Sequence, residues 1–270
     1  MEEGDLNIPG LLVERHSGVL RLTIDRPEKR NALTDDIVSG LIDELVAAGN
    51  DESVRVIVVG GSGDDFCSGF DIVARNAPGG TRPRVGSIQR RLPNQANRLI
   101  SLMVRTQTPI VCEVQGWAAG IGLSLALAAD FTIAANNAKF WAPFLGRGFT
   151  PDSASTWLLP RRIGEVRSRD MLLLGRVVSG SEAADWSMIH SSVQPDELGI
   201  KGAELATTLA KAPTVAIGLT KSLLDASSVA TLDSQMQAEA FSLELSSRSE
   251  DFKEGLASFR EKRDPDYKGR

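Results

Sequence analysis

Cysteine and histidine are both scarce, since each occurs only twice in the 270 residues of the chain. Cys67 and Cys112 are too few for a disulfide framework or a cysteine-ligated metal site. Reduced thiols are typical of a cytoplasmic protein. We interpret His16 and His190 as surface or core residues. The sequence therefore predicts no metal centre.

An excess of positive charge and a long apolar run are also missing. The net charge is -5, with a pI near 5.3, which argues against a nucleic-acid partner. The longest apolar stretch, residues 121–129, is interrupted by Gly122 and Ser124 and is well short of the roughly 20 residues that a membrane span needs. Residues 1–5 lack the basic and apolar pattern of a signal peptide. We expect a soluble cytoplasmic protein.

The first two thirds of the chain read as mixed α/β. Apolar residues alternate over 19–24 after a first short strand at 11–13, which predicts a strand pair. Residues 54–59 and 109–114 are short β-branched runs, typical of buried strands. Each is followed by a glycine-containing loop and a helical segment. This order predicts β/α units whose loops form a site at the carboxyl ends of the strands.

The last third is mostly helical. Helical segments are predicted over residues 200–211, 214–228 and 232–247. A chain of this length with 42% hydrophobic residues fits one large domain with a smaller appendage. We therefore predict an α/β core over residues 1–195 and a helical region over 196–270, with Pro213 as a break between two helices.

Four segments, taken in order, resemble the enoyl-CoA hydratase/isomerase (crotonase) superfamily. Residues 26–33 (RPEKRNAL) resemble its first CoA-binding loop, 65–71 (DFCSGFD) its first oxyanion loop, 114–123 (VQGWAAGIGL) its second oxyanion loop, and 259–267 (FREKRDPDY) its closing signature. The resemblance runs from about residue 11 to the end. It implies a spiral of β-β-α units with a helical C-terminal trimerisation region, assembled as a homotrimer or as a hexamer of two trimers.

The resemblance also implies the ligand, an acyl-CoA thioester, with CoA arriving as part of the substrate and no separate cofactor. Reactions of such thioesters place negative charge on the thioester oxygen, which two preorganised N–H groups stabilise. The family pattern puts these donors at Phe70 and Ile121. Ile121 stands where glycine is frequent, and residues 120–122 open a helix whose dipole favours the same charge. The alternative is that both glycine loops are ordinary turns.

A CoA and acyl-binding surface follows from the same resemblance. Its expected members are Lys29, Arg30, Ala32, Leu33, Ser68, Asp71, Ile72, Trp117, Gly120, Ser124, Trp141, Phe144, Phe149, Phe259 and Lys262. Lys262 and Phe259 are expected to reach the nucleotide end of CoA, from this subunit or a neighbouring one. The aromatic residues are alternatively plain core, and Asp71 a loop anchor. Arg82, Arg84, Arg90 and Arg91 either steer the CoA phosphates or are simply solvated.

The acids of a hydratase are missing. Hydratases of the superfamily use two glutamates, and their positions here hold Ser124 and Phe144. One acid remains nearby, Asp152, at a position similar to a catalytic carboxylate of dienoyl-CoA isomerases and to the nucleophile of 4-chlorobenzoyl-CoA dehalogenase. A dehalogenase is disfavoured because neither histidine falls between the two oxyanion loops. A carboxylate in an apolar pocket is an effective proton acceptor. Alternatively, or in addition, Asp152 caps the helix that follows it, which is worth about 1 kcal/mol.

Three functions remain open at the level of the sequence. The first is a CoA-thioester isomerase that shifts a double bond through a dienolate, with Asp152 as proton shuttle. The second is a non-catalytic acyl-CoA-binding protein. The third is a hydratase or lyase whose water is held by Asp152 and Ser124. Whether Asp152 faces a cavity or turns back onto its own helix separates the catalytic interpretation from the capping one.

Overall fold

A computed structural model describes residues 8–72 and 84–270. The strands of this part are β1 (Leu11–His16), β2 (Val19–Ile24), β3 (Val56–Gly61), β4 (Ile110–Val114), β5 (Trp117–Ala119), β6 (Phe131–Ala135), β7 (Lys139–Trp141), β8 (Val178–Ser179) and β9 (Ser191–Val193). Its helices are α1 (Asp35–Asn50), α2 (Ser87–Arg91), α3 (Ala96–Arg105), α4 (Ile121–Ala128), α5 (Ser155–Leu173), α6 (Gly180–Asp185), α7 (Leu198–Ala210), α8 (Thr214–Ser227), α9 (Leu232–Ser246) and α10 (Glu250–Glu261).

The strands form a larger and a smaller sheet. The larger one has six strands in the order β1-β2-β3-β4-β6-β9, and the smaller one has the order β5-β7-β8. Only the β1–β2 pair of the larger sheet is antiparallel. The predicted strand pair at the start of the chain is confirmed, as are the buried strands, with β3 beginning two residues later than predicted. The α/β class and the crotonase-type fold are confirmed.

The central strands are buried because helices cover both faces of the larger sheet. On one face, Ile57, Val59 and Cys112 belong to the main core, together with the apolar faces of α1 and α3. On the other face, Val56 and Val58 pack against α7. Continuous apolar runs are expected of parallel strands that are covered on both faces. Each fully buried aliphatic side chain contributes about 1.5–3 kcal/mol relative to an exposed one.

The segment from residue 74 to 97 has the least regular sequence. Within its described part, α2 begins at Ser87 and α3 at Ala96, so regular structure starts earlier than the composition predicts. The residue before α2, Gly86, has a φ of 84°, a left-handed conformation that glycine adopts without cost. Residues 73–83, including Arg82, lie outside the described residues.

The C-terminal helices agree with prediction to within two residues at each end. Pro213 separates α7 from α8, as expected. Helix α7, just past the predicted boundary at 195/196, packs on the larger sheet, whereas α9 buries none of its residues. The division into 1–195 and 196–270 stays a prediction. Across the described residues, no helix combines the length and the apolar character that crossing a membrane requires.

Candidate active site

The loop after β3 runs alongside β5, with an isolated parallel bridge between Cys67 and Ala118. The N–H of Phe66 donates to the carbonyl of Gln115 at 2.8 Å, and the N–H of Cys67 donates to the carbonyl of Trp117 at 2.8 Å. In return, the N–H of Ala119 donates to the carbonyl of Cys67 at 2.9 Å. These bonds align the two predicted oxyanion loops in parallel, so the residues that follow in each loop lie side by side.

Glycines allow the two loops to touch. A Cβ added at Gly122, in the first turn of α4, would meet the backbone of Cys67 and lie 2.9 Å from its side chain. Gly120 has φ 57° and ψ -122°, a region that only glycine visits readily. A Cβ added at Gly69 would lie 3.2 Å from the carbonyl oxygen of Ala119. The close approach of the loops therefore depends on residues without side chains.

The hydrogen bonds of Leu33 orient the backbone of the first loop. Its N–H donates to the carbonyl of Gly69 at 2.8 Å, and its carbonyl accepts from the N–H of Asp71 at 2.9 Å. Because successive peptide groups of an extended segment face opposite sides, the N–H of Phe70 points away from Leu33. Leu33 itself is fully buried.

The second predicted donor lies at a helix start. Ile121 is the first residue of α4, so its N–H has no acceptor within the helix and carries the positive end of the helix dipole. Phe70 and Ile121 line the same cavity. The residue at 121 is compatible with this position because Gly120 before it provides the unusual backbone angles.

The cavity between the two loops has a volume of about 490 Å³. Its apolar lining includes Phe70, Ile72, Leu92, Ile121, Phe144 and Phe149. Its polar side chains are those of Ser68, Arg91, Gln95, Arg147, Thr150 and Asp152. Among the described residues that line this cavity, Asp152 is the one that carries a carboxylate.

Asp152 lines the cavity and lies just before α5. Helix α5 begins at Ser155, and its N-cap position is Ala154, which has a left-handed backbone and no side-chain capping bond. Asp152 therefore lies two residues before the N-cap position of α5. The hydroxyl of Ser153 donates to Oδ1 of Asp152 at 2.9 Å. Asp152 is half-buried at the cavity wall.

The two positions that hold glutamates in hydratases are both buried and uncharged. Ser124 is fully buried in α4, one turn after Ile121. Within the described part of the chain, its Oγ has no hydrogen-bond partner. Phe144 is 3% exposed and makes an edge-on contact with Phe149, with ring centroids 5.8 Å apart. Neither position can transfer a proton as a carboxylate does.

The four aromatic residues predicted to bind the acyl group, Trp117, Trp141, Phe144 and Phe149, form two pairs. Phe144 and Phe149 line the cavity, whereas Trp117 and Trp141 are not among its described lining residues. The tryptophan rings stack at a tilt, 5.6 Å apart, and Nε1 of Trp141 donates to the carbonyl of Gly175 at 3.0 Å. The two phenylalanines are therefore placed to contact an acyl group in the cavity, whereas the two tryptophans pack against each other.

Asn31 holds the predicted CoA-binding loop against the first oxyanion loop, a role that the sequence patterns do not reveal. Its Nδ2 donates to the carbonyls of Ser62 at 2.8 Å and Asp65 at 2.5 Å, and its Oδ1 accepts from the N–H of Arg26 at 2.9 Å. Arg26 in turn pairs with Asp71 at 3.1 Å, which agrees with Asp71 as a loop anchor. Asn31 also has a left-handed backbone, with a φ of 54°, a conformation that asparagine tolerates better than most residues.

The basic residues at the start of the predicted CoA surface lie at the outside of the molecule. Lys29 and Arg30 are exposed in the loop before α1, whereas Ala32 is buried there. Ser68 lines the cavity and donates its N–H to the carbonyl of Arg30 at 3.0 Å. This bond is a further connection between the two loops.

The C-terminal members of the predicted surface are separate from the cavity. Phe259 is 83% exposed on α10, and Lys262 ends that helix with a φ of 55°. Neither is among the described residues that line the cavity. Of the arginines before α3, Arg84, Arg90 and Arg91 are all exposed, and Arg91 lines the cavity.

The two cysteines are free thiols inside the core. Burial raises the pKa of Cys67 to about 12, so its thiol stays protonated although it belongs to the first loop of the site. Burial also raises the pKa of Cys112, with Glu113 and Asp130 adding to the effect. A protonated, buried thiol is a poor nucleophile.

Comparison with known proteins agrees with this fold. A family model for enoyl-CoA hydratase/isomerase matches residues 14–270. The chain is 36% identical to 1,2-epoxyphenylacetyl-CoA isomerase of Escherichia coli K12, over 96% of this chain and 98% of that protein. It is 31% identical to crotonyl-CoA hydratase of Syntrophomonas wolfei, over 95% and 97% of the two chains. The crystal structure of an enoyl-CoA hydratase from Bacillus anthracis superposes with a TM-score of 0.89 at 27% identity, over 97% of this chain and 100% of that one.

The chain therefore belongs to the enoyl-CoA hydratase/isomerase family. Within this family it is an enzyme of acyl-CoA thioesters. Its relatives include both an isomerase and hydratases, so family membership alone does not identify the reaction. The choice between isomerisation and hydration therefore depends on the residues of the cavity.

Proposed function

We propose that the protein is an acyl-CoA isomerase that moves a carbon–carbon double bond along the acyl chain. Asp152 removes a proton from one carbon, and the electron pair of the broken C–H bond moves into a dienolate. The negative charge then rests on the thioester oxygen. Asp152 returns the proton to a different carbon, the double bond shifts, and no atom is gained or lost.

The observation that carries this proposal is the single carboxylate among the described lining residues of the cavity. Isomerisation needs one group that takes a proton and gives it back. Hydration needs a second group to activate water, and the two positions that would supply acids hold Ser124 and Phe144. A positioned proton-transfer group contributes about 10²–10⁴ to the rate.

The N–H groups of Phe70 and Ile121 would stabilise the dienolate. Both residues line the cavity that Asp152 also lines, and main-chain donors need no side chain of a particular kind. Losing one such donor costs about 2.7–4 kcal/mol of barrier. The name of the 36% identical relative, 1,2-epoxyphenylacetyl-CoA isomerase, also supports isomerisation over hydration.

We place CoA along the two connected loops, residues 29–33 and 68–72. Their exposed basic side chains, Lys29 and Arg30, would face the phosphates, and the acyl group would enter the cavity between Phe70 and Phe144. The hydrogen bonds that connect these loops keep the adenine end and the reacting end at a fixed distance from each other.

The C-terminal helices suggest the assembly. Phe241, Leu243 and Leu245 on α9 and Phe259 on α10 are each between 58% and 83% exposed, which is unusual for large apolar residues of a monomer. We propose a homotrimer, or a hexamer of two trimers, in which these helices are covered and Phe259 and Lys262 reach the CoA of a neighbouring subunit. Light scattering coupled to size-exclusion chromatography tests this, and a monomer at micromolar concentration would contradict it.

The products formed from a panel of esters test the reaction. The full-length protein is incubated separately with 2-enoyl-CoA and 3-enoyl-CoA esters that carry short, medium or aromatic acyl groups. Isomerisation gives a product of unchanged mass with a shifted double bond, whereas hydration adds one water. Hydrated product as the main outcome would support a hydratase or lyase instead. Tight binding of every ester without turnover would indicate a non-catalytic acyl-CoA-binding protein.

A further inference from the structure

The turn that follows Asp152 has an unusual backbone. Ser153 has a φ of 51° and Ala154 a φ of 61°, so two consecutive residues other than glycine are left-handed. Few non-glycine residues adopt this conformation, and a pair of them at one turn calls for an explanation. Strained backbone of this kind gathers at functional sites, where the surrounding structure holds it in place.

Residues of this turn form hydrogen bonds with both the side chain and the main chain of Asp152. The Ser153 hydroxyl donates to Oδ1 of the carboxylate at 2.9 Å. The N–H and the hydroxyl of Ser155 donate to the Asp152 carbonyl oxygen at 3.1 and 2.8 Å. Ser153 is 1% exposed and Ser155 is fully buried, so water does not compete for these bonds. Both ends of Asp152 are therefore held by residues that lie behind the cavity wall.

A backbone explanation alone does not account for serine at position 153. Glycine would adopt the same left-handed conformation without strain, and the turn would keep its backbone bonds. What glycine would lose is the hydroxyl that bonds the carboxylate. Ser153 is not among the described residues that line the cavity, so direct contact with a substrate does not account for it either.

We propose that Ser153 is a positioning residue, whose hydroxyl fixes the orientation of the Asp152 carboxylate toward the cavity. The proposal rests on the proton-shuttle function of Asp152. A carboxylate that transfers a proton between two carbons of one bound acyl chain has to reach both carbons in the same orientation. Holding one carboxylate oxygen restricts rotation of the group, and misplacement by 1 Å is enough to cost about 10²-fold in rate.

Three variants of the full-length protein test this role: Ser153→Gly, Ser153→Ala and Ala154→Gly. The first two remove the hydroxyl, with and without relief of the backbone strain. We expect both to lower kcat by about 10-fold or more while KM stays within about twofold, because a positioning role acts on the bound complex. Ala154→Gly relieves strain at the next residue and keeps the hydroxyl. It should leave kcat and KM unchanged and raise the Tm.

The kcat and KM values of the three variants, compared with each other, test the role of the Ser153 hydroxyl. Wild-type kcat in Ser153→Gly and Ser153→Ala would overturn the proposal, and so would an effect on KM alone. Equal losses of kcat in Ala154→Gly would also overturn it, because the strained turn rather than the hydroxyl would then do the positioning. If Ser153→Gly does not fold, Ser153→Ala gives the same comparison.

Asp152→Asn separates this inference from the function on which it rests. Loss of turnover in Asp152→Asn together with full turnover in the Ser153 variants would contradict only the role of Ser153. Full turnover in Asp152→Asn would contradict the proton-shuttle function itself.

Discussion

Replacing Gly122 by alanine should separate the two loops of the site. The added Cβ would lie 2.9 Å from the Cβ of Cys67 and closer still to the Cys67 carbonyl oxygen. Ordinary carbon–carbon contacts are at about 3.5–4.0 Å, so the Cβ–Cβ contact alone requires α4 and the loop to move apart by about 0.6–1.1 Å, and the shorter contact with the oxygen requires at least as much. Neither neighbour is the end of a flexible side chain, and the displacement therefore falls on the backbone.

The expected effects follow from that displacement. The N–H of Ile121, at the start of α4, would move relative to Phe70, and a shift of this size costs up to about 10²-fold in kcat. Overpacking of a buried contact costs about 1–3 kcal/mol of stability. We expect Gly122→Ala to lower the Tm and to reduce turnover of enoyl-CoA more than the binding of CoA.

Gly199→Ala is the matched control. Gly199 is also in the first turn of a helix, α7, but an added Cβ there meets nothing within 4 Å. This variant should keep wild-type turnover, with a stability that is equal or up to about 1 kcal/mol higher. Wild-type turnover and Tm in Gly122→Ala would refute the inference that the close contact between α4 and the loop sets the geometry of the site.

Three further predictions concern interactions that hold the fold together. Asn31→Ala removes three hydrogen bonds, so we expect a loss of about 3 kcal/mol in denaturant unfolding and a higher KM; an unchanged unfolding midpoint would contradict it. Lys221 donates to Asp130 at 2.6 Å in a largely buried pair, and Asp130 also accepts from the N–H of Ile110 at 2.8 Å. Lys221→Met removes the cation and leaves the carboxylate with its main-chain bond, so it should destabilise by about 3 kcal/mol, an effect that calorimetry would detect. Hydrogen bonds from Arg263 and from the N–H of Asp266 lower the pKa of Glu254 from 4.5 to about 2, so its stabilisation is complete above pH 4.5 and disappears as the pH falls through about 2. The difference in Tm between wild type and Glu254→Gln should shrink over that range, and a constant difference would contradict it.

Local features of the chain were predictable because neighbouring residues determine them. The N-cap at Thr34 accepts from the N–H of Ile37 at 3.2 Å, and it is visible as a threonine before two aspartates. The helix start after Gly120 is visible from the glycines that flank Ile121. Both features depend on backbone preferences that act within one turn.

Features that depend on distant residues were not predictable in the same way. Phe144 lines the cavity, whereas the ring of Trp141 packs beside Trp117. The sequence does not distinguish these two positions, because which of them reaches the cavity depends on how the small sheet packs against the loops. Asp152 follows a proline and precedes a helix, the usual pattern of a cap. The cap position moves to Ala154 because two residues adopt left-handed angles that their side chains do not favour.

The turnover of Asp152→Asn tests the central claim most directly. Asparagine keeps the size of the side chain and removes its ability to carry a proton, and Asp196→Asn, at an exposed position, serves as the control. At saturating enoyl-CoA, we predict that double-bond migration falls by about 10²–10⁴-fold in Asp152→Asn, with thioester binding retained and the control unaffected. Migration at the wild-type rate in Asp152→Asn would contradict the account.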